Sequence, residues 1–121
     1  MAEKQFRFQD LEIWQRGAAL SRPLFALADQ LDERKRYRFA EQLRAATLSI
    51  TNNIAEGSGS TSDAEFAQFL NISRRSVFEV ANILLVLRPE KILPDDSFPD
   101  LLAELEEQSR MTLAFIRRLR S

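Results

Sequence analysis

The 121-residue chain has no cysteine and no histidine, only three glycines and four prolines, and a single tryptophan and tyrosine. Each shortage excludes something. Without cysteine there is no disulfide framework. Without histidine there are no Ser-His or Cys-His nucleophilic pairs, no imidazole metal ligands and no ordinary neutral-pH general base. These absences make most enzyme classes poor fits, so no catalytic residue, cofactor or metal is expected. No apolar run is long enough to cross a bilayer or to follow the charged start as a signal peptide, and the expectation is a soluble cytoplasmic protein with no membrane partner. An excess of positive charge is also missing. Seventeen basic residues face 18 acidic ones, for a formal charge of −1, so nucleic-acid contact would have to come from a local patch.

What is present is helical periodicity over one domain's length. Glycine and proline gather at 57–59 and 89–99, apart from Gly17 and Pro23. A first stripe runs from about residue 10 to 31 through Leu11, Trp14, Ala18, Phe25 and Ala28, with Phe8 stapling its start and Pro23 bending its middle. Asp32 is placed to cap a second helix carrying Ala40, Leu43, Thr47, Ile50 and Ile54, which Gly57 stops. Ser62 and Glu65 form a capping box for a third helix that lasts until Pro89, and Ser97 opens a fourth with Leu101, Leu105, Thr112, Phe115 and Leu119 inside. Short connections predict an all-α, up-down-up-down antiparallel four-helix bundle over residues 10–121, after an N-terminal extension of residues 1–9.

Ile13, Leu20, Leu24 and Leu27, then Phe78, Leu85 and Val86, lie off the main stripes. They represent either a wide core or a second apolar face that packs against copies of the same chain in a homo-oligomeric ring.

Counting outward from each loop gathers Trp14, Asn53, Glu56, Gly57, Arg117 and Arg118 at one bundle end. Asn53 is expected to accept from the Trp14 indole or to bond carbonyls freed near Gly57. Glu56 is expected to accept from N–H groups at the start of the third helix or to pair with a C-terminal arginine. This is a structural polar cluster closing the bundle, with a ligand pocket as the alternative. Glu79 lies too far up the bundle to pair with Glu56 and is expected to meet Arg36 or Arg44.

The densest basic stretch is "ERKRYRF", residues 33–39. Arg34, Lys35, Arg36, Arg38 and the following Arg44 are the candidate nucleic-acid contacts, interleaved with Tyr37 and Phe39. An acidic stretch from Asp95 to Glu107 counts to the same end, where the two could neutralise each other within or between subunits.

"FQDLEIWQRG", "QLRAATLSITNNIAEGSGS" and "EFAQFLNISRRSVFEV" resemble the bacterial 23S rRNA intervening-sequence proteins, over most of residues 6–88. Asn-Ile-Ala-Glu-Gly at 53–57 is the most specific element. The resemblance implies a homopentamer of antiparallel bundles, and maps a family motif onto Trp14, Ser49, Asn53, Glu56, Gly57, Phe66, Ser76 and Glu79. It also implies kinship with the accessory protein of diversity-generating retroelements, which works with a reverse transcriptase through a strongly basic surface that this slightly acidic chain lacks. The functional expectation is a non-enzymatic oligomeric scaffold or adaptor for structured RNA or a nucleic-acid enzyme. The alternative is a protein-only interaction module.

Overall fold

The periodic stripes become four helices in the structure, a computed structural model that describes residues 5–121. They are α1 (Glu12–Glu33), α2 (Tyr37–Ser58), α3 (Asp63–Leu87) and α4 (Phe98–Arg120). Short 3-10 turns occupy Arg7–Asp10, Arg88–Glu90 and Asp95–Ser97, and no strand occurs among the described residues. No helix among them is long and apolar enough to cross a membrane.

The helix boundaries have local causes, and several differ from expectation. Ser62 Oγ accepts from the Glu65 N–H at 3.2 Å, which starts α3 as anticipated, although among the described residues only this half of the box forms. Ser97 flanks α4 without a side-chain bond, and a proline in the first turn costs nothing there because that N–H has no helical partner. Asp32 does not cap α2. It lies inside α1, where its carboxylate is held by Arg44 at 2.6 Å, and Arg36 flanks α2 without a side-chain cap. Gly57 does not stop α2 either, because the helix continues to Ser58 and Gly59 follows it. α1 runs unbroken through Pro23.

Each helix packs on the next, and α1 meets α4 more sparsely, closing a four-helix bundle. Leu24, Leu31, Ile50, Phe66, Leu84 and Phe98 are among the fully buried side chains. The off-stripe residues divide. Ile13, Leu20, Leu24 and Leu27 are all buried, because α1 touches both α2 and α4 and needs a wide stripe. Phe78, Leu85 and Val86 remain 57%, 55% and 55% exposed.

The two outer seams are built differently. Between α2 and α3, a Cβ on Gly57 would stand 2.6 Å from Phe69 Cβ and 2.9 Å from Phe66 Cδ1, so the backbones approach only because that side chain is absent. Ser73 Oγ donates to the Ile50 carbonyl at 2.7 Å in the same seam. Between α1 and α4, Gln108 Nε2 donates to the Ile13 carbonyl at 2.8 Å, and Arg16 pairs with Glu104 at 2.9 Å. Beside these contacts a groove of about 620 Å³ stays open, lined by residues that include Leu20, Pro23, Leu27 and Leu101.

Candidate nucleic-acid interface

The basic stretch forms the turn between α1 and α2. The Arg36 N–H donates to the Leu31 carbonyl at 2.8 Å and the Lys35 N–H to the Asp32 carbonyl at 2.9 Å, the paired closure of a Schellman motif. Lys35 occupies the position that usually favours glycine, with φ at 60°, a left-handed conformation that costs a residue bearing Cβ roughly 1–2 kcal/mol. The backbone therefore bends tightly and turns Arg34, Lys35, Arg36 and Arg38 outward, all exposed. Tyr37 and Phe39 are exposed beside them, at 58% and 41%.

Arg44 does not join this group. Asp32 at 2.6 Å and Asp29 at 2.7 Å hold its guanidinium, and their hydrogen bonds push its pKa up. It is a helix-to-helix tie and not a free cation. Nor does it meet Glu79, which is exposed, as Arg36 is, and no bond joins Glu79 to either arginine among the described residues.

Within the chain, no ion pair joins the acidic stretch to the turn among the described residues. Asp95 is bound by Arg88 at 2.9 Å, which draws its carboxyl below the usual value, Glu104 by Arg16, and Glu106 and Glu107 by Arg110. Arg34, Lys35, Arg36 and Arg38 form no ion pair among the described residues.

The polar cluster is rearranged. Asn53 bonds neither Trp14 nor the carbonyls near Gly57. Its Nδ2 donates one turn back, to the Ser49 carbonyl at 2.8 Å and to Ser49 Oγ at 3.0 Å. Ser49 Oγ in turn shares a 2.8 Å hydrogen bond with Ser76 Oγ, so the chain of contacts crosses from α2 to α3. Trp14 packs its ring on Phe8, centroids 5.1 Å apart. Glu56 is exposed, and its side chain meets neither the start of α3 nor a C-terminal arginine among the described residues. Arg117 is exposed, and Arg118 lies over the Phe115 ring at 5.1 Å.

The role expected of Asn53, bonding a carbonyl freed near Gly57, falls to a residue outside the expected cluster. Arg7 Nη1 donates to the Ser58 carbonyl at 3.3 Å while its guanidinium lies 5.2 Å from the Phe66 ring centre. A lone arginine between two phenylalanines ahead of the first helix was the available signal.

The family model of the 23S rRNA-intervening sequence protein matches residues 9–114, almost the whole bundle. The chain belongs to this family. Among curated proteins none matches. A crystal structure of a protein of unknown function from the S23 ribosomal protein family of Bacteroides thetaiotaomicron is similar, with a TM-score of 0.81 and 20% identity over 86% of this chain and 97% of that one. At that identity the likeness establishes the shared fold, and nothing about activity.

Proposed function

We propose that this protein is a non-enzymatic oligomeric scaffold that binds structured RNA through the turn between α1 and α2. One observation carries the reading: Arg34, Lys35, Arg36 and Arg38 stand exposed and without ion pairs among the described residues, whereas Arg16, Arg44, Arg88 and Arg110 are each bound to carboxylates. Lys35 also accepts a strained backbone where glycine would be at ease. Free cations contact phosphates, and the exposed Tyr37 and Phe39 rings offer stacking surfaces.

The contacts of Gly17 with Thr51 and Asp29 with Arg44, and those of Gly57 with Phe69 and Ser49 with Ser76, each run in opposite chain order, which supports an up-down-up-down antiparallel bundle. Exposed Phe78, Leu85 and Val86 support assembly of copies. The homopentameric ring implied by the family resemblance repeats the basic turn on every copy, so that weak sites gain by multivalency. A nucleic-acid enzyme is the other partner of this surface, in keeping with the resemblance to the retroelement accessory protein, and the cytoplasm is the compartment of action. The exposed apolar face also favours a second reading, a protein-only interaction module.

Affinity for a labelled structured RNA, titrated from low to physiological salt, separates the two. A log-linear fall with salt is expected. Changing Arg34, Lys35, Arg36 and Arg38 together to glutamine flattens that slope by up to about four per copy, whereas Arg44→Gln leaves it unchanged. No binding at low salt removes the RNA reading and leaves the protein-only module.

A further inference from the structure

Four arginines of this chain lie over phenylalanine rings: Arg7 at 5.2 Å from the centre of Phe66, Arg74 at 5.0 Å from Phe78, Arg88 at 5.6 Å from Phe98 and Arg118 at 5.1 Å from Phe115. The turn between α1 and α2 is built otherwise. Tyr37 and Phe39 stand exposed beside Arg34, Lys35, Arg36 and Arg38, yet among the described residues no cation lies over either ring and no second ring packs on them. Open ring surface and unpaired positive charge therefore occur side by side.

Successive residues of a helix are about 100° apart around its axis. Ala40 is fully buried, so Arg38 points away from the bundle while Tyr37 and Phe39 flank it on either side. Rings placed this way cannot clamp a single base between them; they are two separate platforms with a guanidinium in the middle. Glu33 and Glu41 border the stretch, both exposed and without an ion pair among the described residues. Four cations against these two carboxylates leave residues 33–41 at +2, in a chain whose formal total is −1, so the turn still attracts phosphate.

We propose that this turn takes unpaired nucleotides of RNA, those of a bulge or loop, with bases laid on Tyr37 and Phe39 and the phosphate that links them at Arg38. The inference rests on the RNA reading of the proposed function and names the part of the RNA that the same surface holds. In a duplex the bases cover one another, and the major groove is too deep and narrow for side chains to enter. The two rings then find no base face, and only the cations contribute. Unpaired bases splay out and stack on aromatic side chains whatever their sequence. The cations attract either form of RNA, and the rings make the choice between them.

The test compares a labelled RNA duplex carrying a bulge of unpaired adenosines with the same duplex lacking the bulge, so that the ends of the two probes are identical. The wild-type full chain should bind the bulged probe more tightly at low salt. Tyr37→Leu with Phe39→Leu removes the rings and keeps every charge; because both positions are exposed, melting should stay close to wild type. Bulge affinity should fall roughly 5- to 150-fold for each ring lost, with the salt slope unchanged because the cations remain. Tyr37→Phe with Phe39→Tyr keeps both platforms and should retain the preference. Equal wild-type affinity for the two probes overturns the proposal and leaves a phosphate-binding turn. A bulge preference that survives in the leucine variant overturns it as well, since the unpaired bases are then held elsewhere. Binding of neither probe at low salt removes the RNA reading itself.

Discussion

The α2–α3 seam and the α1–α4 seam use small residues in opposite ways. In the first, Gly57 brings α2 against Phe66 and Phe69, and Ser73 stitches the helices by a hydrogen bond to the Ile50 carbonyl. In the second, Ala19, Pro23 and Ala26 line a groove that nothing among the described residues fills. Small side chains opposite aromatic rings seal a seam, whereas the same economy opposite acidic and short side chains leaves a recess. One bundle therefore has a closed flank that holds it together and an open flank available to something else.

Glycine-to-alanine substitution on two helices gives the largest contrast. Gly57→Ala pushes a methyl against the Phe69 Cβ, an atom next to the backbone with little freedom to yield, and should destabilise by about 1–3 kcal/mol despite the helix gain of roughly 0.5–1 kcal/mol. Gly17→Ala meets the Thr51 methyl at 3.1 Å and the Gln108 amide at 3.4 Å, both at the ends of side chains, and should stay within about 1 kcal/mol of wild type. Denaturant midpoints measure both, and equal costs would erase the distinction between a glycine packed on a Cβ and one packed on side-chain ends.

Hydrogen bonds sharpen it further. Ser73→Ala removes a buried donor to the Ile50 carbonyl and should cost about 1 kcal/mol. Gln108→Leu also removes a buried hydrogen bond, yet it eliminates the Gln108 Oε1, a buried acceptor that no donor reaches among the described residues. Its net effect should be the smaller of the two in the same unfolding assay.

The smallest effect is at the α3–α4 connection. Arg88 lowers the Asp95 pKa from 3.8, first through its hydrogen bond. A carboxyl depressed in the folded state stabilises above its unfolded pKa, and that contribution is lost as pH falls through the folded value. Stability measured below about pH 4 should therefore drop slightly less steeply in Asp95→Asn, a difference that salt diminishes because the pair is exposed.

The four helices were legible because their apolar residues recur at three- and four-residue spacing, and the exposed basic turn because its cations are consecutive. Individual side-chain partners were harder to read. Asp32 has the chemistry of a cap, but Arg44, two turns into α2, claims its carboxylate. Asn53 Nδ2 found the nearest acceptor, one helical turn back at Ser49, while Trp14 packed on Phe8. The burial of Leu20 and Leu27 depends on α1 touching two neighbours, which no single-helix pattern reveals. Ion pairing separated Arg44 from Arg34, Lys35, Arg36 and Arg38, a distinction absent from residue type alone.

The left-handed Lys35 has a further consequence for any anionic partner. A flexible basic tail must give up conformational freedom when it binds, and that loss subtracts from its affinity. Here the Schellman closure holds the backbone of Lys35 and Arg36 in place before contact. Lys35→Gly would relax the backbone yet subtract one positive charge, so the melting temperature should rise while affinity for polyanions falls.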